Sequence, residues 1–231
     1  MTEWDSEEWT YGAKGLLDWI HSINSEQSIL LMVRHSHREM LHNYHDTMNA
    51  GLTDLGKRLS CEMGKRIPTE RKAHIFLSVI PRCYETAEAI SEGFTQRGGE
   101  VIDMDPLPTL VGPEYTDRDV WINLNSNGDN VTEFVNKWAD NEFVGIEPFN
   151  EFSIRLMDDT MKRLLSVKDN TMHIHVTHDL AMMCTKRILF DRPLTRDDRV
   201  PYLGGLGITL KNGVPILFAA GTTTTPDSTL Y

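Results

Sequence analysis

The chain has 231 residues, 40% hydrophobic and 25% charged, with a formal net charge of -11 at pH 7. That mixture is globular and large enough for one sizeable core, and it lacks the basic footprint that binding to nucleic acid or an anionic membrane requires. No stretch approaches the ~18 consecutive apolar residues of a membrane span, and Cys61, Cys83 and Cys184 are too scattered for a disulfide framework or a Cys-rich zinc site.

The acidic start MTEWDSEEWT has neither the positive charge nor the apolar stretch of a secretory leader, so a cytoplasmic location is expected. Trp9, Ala13, Leu16 and Ile20 then fall at helical spacing. Ser28 to Val33 is apolar on both faces and ends at Arg34-His35, the pattern of a buried parallel strand with polar residues at its exit. After a His-rich loop, Leu52, Leu55, Leu59 and Met63 predict a helix from about Thr53.

His74 to Val79 reads as a strand, Arg82 to Phe94 as a helix, and Glu100 to Met104 as a short strand. Pro106 to Asp129 is irregular and long for a plain connection, which marks it as a lid or substrate-facing insert. Helical patterns return at Val131 to Asp140 and Phe149 to Leu165, then a strand at His173 to Thr177 and a helix from Asp179 to Phe190. Gly207 to Leu210 and Val214 to Phe218 predict a closing hairpin around Asn212-Gly213. Alternating strands and helices without a linker or repeat imply one domain over residues 1-231. The expected fold is α/β, a three-layer α/β/α sandwich with a mostly parallel central sheet.

Three polar clusters sit at strand exits: Arg34-His35-Ser36-His37-Arg38, Ser78 to Ala87 with Arg82, and His173 to Asp179 with His178. Each has a plain structural reading. An Arg-His pair is an ordinary loop start, Arg82 a solvated first-turn residue, and His178-Asp179 a helix start. Their coincidence says more, because ligand crevices of open α/β sheets lie beyond the carboxyl ends of the strands. An acidic chain repels anions at long range, so cations gathered at that edge suit a phosphoryl group bound by guanidinium forks.

These clusters resemble the histidine phosphatase superfamily, which includes phosphoglycerate mutases and acid phosphatases. Arg34-His35 matches its Arg-His-Gly, and Ser78, Arg82, Thr86 and Ala87 match Ser-x-x-x-Arg-x-x-x-Thr-Ala. His178 matches the second histidine, and Leu52-Thr53 with Gly56 matches Leu-Thr-x-x-Gly. The resemblance implies a phosphoglycerate mutase-like sandwich, a metal-independent phosphomonoesterase needing no cofactor, and a small phosphorylated substrate. In that reading His35 is the nucleophile that forms a phosphohistidine, while Arg34, Arg38, Arg82 and His178 bind the phosphate.

The sequence departs from the pattern at Ser36, where the family has Gly, and at Met40, where the acid phosphatase branch has Pro. Arg38 and Asp179 match that branch, so Asp179 is the expected proton donor. Glu114, placed like the loop Glu of the mutase branch, is the second candidate. His37, His42 and His45 read as exposed loop residues, His173 and His175 as buried, and Cys83 as packing.

Three alternatives remain open. A metal-dependent hydrolase could draw on His35, His37, His173, His175, His178 and Asp179, but it leaves Arg34 and Arg82 without a purpose. A non-catalytic phospho-ligand binder could share the fold. A phosphoglycerate-type mutase is disfavoured by the short polar stretch Gly221 to Tyr231. The sequence is silent on oligomeric state.

Overall fold

The computed structural model describes residues 2–41, 44–166, 170–211 and 213–225. His42, Asn212 and the stretch from Pro226 lie outside them, as does the side chain of His45. The apolar run after Ser28 forms β1 (Ile29–Arg34), with every residue buried. Next come β2 (Ala73–Leu77), β3 (Val101–Pro106) and β4 (Met172–Thr177). The last strands are β5 (Gly205–Lys211), β6 (Val214–Ala219) and β7 (Thr222–Thr224).

They form one sheet in the order β3-β2-β4-β1-β5-β6-β7. The β3-β2, β2-β4 and β4-β1 pairs are parallel, and β5, β6 and β7 add antiparallel pairs at the other edge. Alternation along β1 sends Leu30 and Met32 to one face and Ile29, Leu31 and Val33 to the other, so two separate cores form. On the second face pack α2 (Tyr11–Ser22), α4 (Asp54–Arg66) and α5 (Pro81–Gln96), through Leu16, Leu59, Met63 and Phe94. A short α1 (Glu3–Ser6) adds Trp4.

The first face carries α6 (Val131–Ala139), α7 (Phe149–Asp159), α8 (Met161–Ser166) and α9 (Asp179–Phe190), through Trp138, Phe152, Leu164 and Met182. One further helix, α3 (Tyr44–Asn49), follows β1. The three-layer expectation holds, with a central sheet of mostly parallel strands. No helix among the described residues is long and apolar enough to cross a membrane.

Two local expectations need correction. The helix expected from Phe149 to Leu165 is two helices, α7 and α8, parted at Thr160 (φ -114°, ψ -73°). The Thr160 hydroxyl donates to the Leu156 carbonyl at 2.6 Å, back-bonding that competes with a regular helical course. The closing hairpin has a third strand, because Ala220 (φ 50°) and Gly221 (φ 79°) supply the positive dihedrals of a two-residue turn. The threonines of β7 then pair with β6, a β-branched segment that the sequence reading took as mere polar tail. The insert after β3 is also less irregular than expected, holding 3₁₀ turns at Pro108–Leu110 and Arg118–Asn123.

Candidate active site

β2, β4 and β1 are neighbours, so the three polar clusters leave the sheet side by side. Backbone bonds continue past the strands: His35 N–H donates to Thr177 O at 2.8 Å and Ser78 N–H to Val176 O at 3.0 Å. These fix the exits in register. His35 thus follows β1 directly, His178 is the N-cap of α9, and Arg82 sits in the first turn of α5 beside Pro81 at its start.

The two imidazole rings meet with centroids 5.5 Å apart at 62°. His35 Nδ1 lies 2.8 Å from the Ser36 carbonyl. A carbonyl only accepts, so the proton belongs on Nδ1 and Nε2 keeps a free lone pair. His178 Nδ1 lies 3.0 Å from Arg82 Nη2, and its Nε2 lies 2.9 Å from Ser78 Oγ. Arginine only donates, so His178 is neutral, with its proton on Nε2 directed at Ser78. Burial, then the nearby Arg82 and Arg34 guanidiniums, hold both imidazoles well below their ordinary pKa. Cys83, whose Sγ lies 3.5 Å from His178 Nε2, is pushed up to about 12 by burial and is a packing thiol.

The guanidiniums of Arg34, Arg38 and Arg82 are all buried. Arg34 donates to Val200 O at 2.8 Å and lies over the Tyr202 ring at 4.6 Å. Arg38 donates to Glu39 O at 2.8 Å and Asn127 Oδ1 at 3.2 Å, and Arg82 donates to Thr47 O. Nε of each has no hydrogen-bond partner. Nε of Arg66, Arg187 and Arg199 is likewise unpaired, so what suits an anion here is the gathering of three buried positive groups around the two imidazoles. Asp179, first residue of α9, places Oδ2 3.0 Å from Arg34 Nη2 and 3.4 Å from Arg199 Nη2. His35, Arg38, Arg82, His178 and Asp179 together line one cavity of about 430 Å³.

The family model described as histidine phosphatase superfamily (branch 1) matches residues 30–209. This chain belongs to the histidine phosphatase superfamily. Among solved structures it is similar to the Bacillus stearothermophilus protein YhfR, with TM-score 0.58 and 19% identity over 85% of this chain and 98% of that one. A phosphoglycerate mutase from Bacillus anthracis gives 0.55 and 15% over 85% and 95%. A phosphoserine phosphatase from Entamoeba histolytica gives 0.53 and 16% over 84% and 98%. At these identities the likeness concerns the fold. No curated protein matches the chain.

Within this superfamily member, Ser36 takes the place of the family's glycine without strain. Its hydroxyl donates to Gly56 O at 2.9 Å and its N–H to Thr86 Oγ1 at 3.0 Å, so serine ties β1's exit to α4 and α5. Thr53 caps α4 by accepting from Gly56 N–H at 3.0 Å. A Cβ on Gly56 would stand 2.2 Å from the His37 carbonyl, which explains the glycine of that motif. Gly56→Ala is therefore expected to cost about 1–3 kcal/mol, as overpacking does. Urea unfolding measures it, and an unchanged midpoint would refute the close approach.

Glu114, the second candidate donor, is not brought to the cavity. Tyr115 forms a bridge with Ile146, while Glu114 N–H donates to the Glu147 carboxylate (Oε2) at 2.9 Å and the Glu114 carbonyl accepts from Glu147 N–H at 2.8 Å. That pairing leaves Glu114 exposed, while Pro113 and Tyr115 line the cavity. The metal-binding pool is also split. His173 and His175 lie within β4 on the first face of the sheet, around Phe76, with the His175 and Phe76 rings stacked at 4.9 Å. No group of three or more His, Cys, Asp or Glu among the described residues could hold a metal ion.

Sequence reasoning missed Arg199, Tyr202 and Asn127, none of which lies in a motif. It also read His37 as exposed, whereas that ring stacks on Trp9 at 5.9 Å and contacts Thr53 Oγ1 at 2.9 Å. The aromatic residue preceding α2 was the only signal, and nothing in its spacing announced a histidine partner.

Proposed function

We propose that this chain is a phosphatase that hydrolyses a phosphate monoester through a phosphohistidine on His35. One observation carries the reading: two imidazoles share one cavity with the buried guanidiniums of Arg38 and Arg82, and Arg34 is held beside it by its 3.0 Å ion pair with Asp179. His35 Nε2 attacks phosphorus, forming an N–P bond as the P–O bond to the leaving alcohol breaks. Arg34, Arg38 and Arg82 hold the non-bridging oxygens and stabilise their charge in the transition state, and His178 joins them by releasing its Nε2–H from Ser78 to the phosphate. The leaving oxygen takes its proton from Asp179. Water then attacks the phosphohistidine and gives a proton back to Asp179 as the N–P bond breaks, releasing inorganic phosphate.

Asp179 faces Arg34 and Arg199. A phosphate dianion drawn onto Arg34 competes with the carboxylate for that guanidinium, which frees Asp179 to turn towards the leaving oxygen. The side-chain cations supply the electrostatic stabilisation that a metal ion supplies in kinases, so hydrolysis is expected to survive chelators and to be inhibited by vanadate or tungstate. Loss of all turnover with EDTA, restored by a divalent ion, would favour the metal-dependent alternative.

Asp179→Asn separates the donor role from binding. With an alkyl phosphate, kcat is expected to drop by about 10²–10⁴-fold, the usual contribution of general acid catalysis. With p-nitrophenyl phosphate, whose leaving group departs without a proton, phosphoenzyme formation should keep most of its rate. Equal losses on both esters in rapid-quench measurements would remove Asp179 from this role.

A further inference from the structure

The cavity over the phosphate-binding floor is far larger than a phosphoryl group fills, and its upper wall has a distinct chemistry. At about 430 Å³ it lies in the range of small-molecule pockets. Leu41, Ile80, Val111, Trp121, Leu124 and Leu180 form the wall, and Asn125, Ser126 and Asn127 form a polar strip along one side. Above the floor of His35, Arg38, Arg82, His178 and Asp179, no charged side chain among the described residues lines it.

The wall is built to stay in place. Trp121, in the 3₁₀ turn Arg118–Asn123, stacks on Phe134 of α6 at 5.9 Å, with Tyr115 edge-on at 5.5 Å. Around the mouth, Met48 is 43% exposed, Tyr115 39% and Ile122 79%. Large apolar side chains left in water around a cavity that ends on cations imply an occupant with a greasy body and one anionic end.

Resting on the phosphatase reading above, we propose that the substrate is the phosphate monoester of a bulky, uncharged, apolar alcohol whose body seats against Trp121, Leu124 and Ile122. The charge pattern argues the same way from the other side. A substrate with a carboxylate or a second phosphate would place an anion against a wall that offers it no cation, and burying an unpaired charge is costly. Phosphorylated small acids are therefore poor substrates of this site.

The test compares two alkyl esters whose leaving alcohols have similar acidity, ethyl phosphate and 2-(2-naphthyl)ethyl phosphate. With the intact chain, kcat/KM is expected to favour the naphthyl ester by on the order of 100-fold, from the apolar area it removes from water. Trp121→Ala and Ile122→Asp should each cut that preference about tenfold. Ile122 is exposed, so its variant tests the wall without disturbing a packed side chain, and thermal unfolding checks both variants. Turnover of both esters without preference, or a preference unchanged in both folded variants, would overturn the apolar-alcohol assignment and leave the phosphatase reading standing. No turnover of either ester and no phosphoenzyme would overturn both.

Discussion

His35→Ala is expected to abolish hydrolysis of every phosphate monoester the protein turns over, with kcat falling by on the order of 10⁴–10⁶, as when a covalent nucleophile is lost. The expectation follows from the tautomer. The Ser36 carbonyl holds the His35 proton on Nδ1 at 2.8 Å, which leaves the lone pair on Nε2 of a ring that lines the cavity, as the proposed attack requires. Brief incubation of the unaltered chain with ³²P-labelled ester and a rapid quench should trap an acid-labile, alkali-stable phosphoenzyme, absent from the variant. Oxyanion binding should persist in His35→Ala, because Arg34, Arg38 and Arg82 remain. If the variant keeps its turnover, the nucleophile lies elsewhere.

Stability is expected to fall steeply as pH drops below the ordinary imidazole value of 6.5, well before carboxylates titrate. His35, His175 and His178 are buried, and burial first, then neighbouring positive groups, holds each well below that value. Below 6.5 the unfolded chain takes up three protons that the folded chain refuses. Stability present above 6.5 is therefore lost as pH falls, by about 1.4 kcal/mol per pH unit for each histidine, or roughly 4 kcal/mol per unit together. Against a typical stability of about 5–15 kcal/mol, that is enough to unfold the protein in mildly acidic solution.

Urea unfolding between pH 7.5 and 5 measures the slope, and a flat profile would contradict neutral buried rings. His35→Ala should lower the slope by about one proton, since one of the three groups is gone. Tungstate should protect more at pH 5.5 than at 7.5, because an anion between the imidazoles favours their charged forms. Together these separate a lost nucleophile from a lost fold: a folded, inactive, more acid-resistant His35→Ala is the expected result.

The strands, most helices and the cationic edge were legible because each is written in local pattern. The apolar run of β1, the 3.6-residue spacing of α4 and α5 and the capping Thr53 act over a few residues, so the local order of residues commits them. Arg34, His35, Arg82 and His178 were legible as a set because they lie at strand ends, and strand ends of a parallel sheet share one edge. The break at Thr160 and the turn at Ala220-Gly221 were less legible, since a hydroxyl bond and two dihedral angles separate them from a continued helix or a loose tail.

The neighbourhood of Asp179 was not written locally at all. Arg199, Tyr202 and Trp9 approach the site from segments far from the motifs, brought there by the pairing of β5 with β1 and by α2 packing on the sheet. Glu114 and Tyr115 are adjacent in sequence, yet Tyr115 lines the cavity and Glu114 faces water, because the bridge to Ile146 sets which way that strand-like segment turns. Residue types and spacings thus named the proposed chemistry, a histidine beside guanidiniums suited to a phosphoryl group. Which carboxylate stands beside it, and the apolar wall that faces it, came from long-range packing: side-chain direction at a loop depends on contacts that no local pattern encodes.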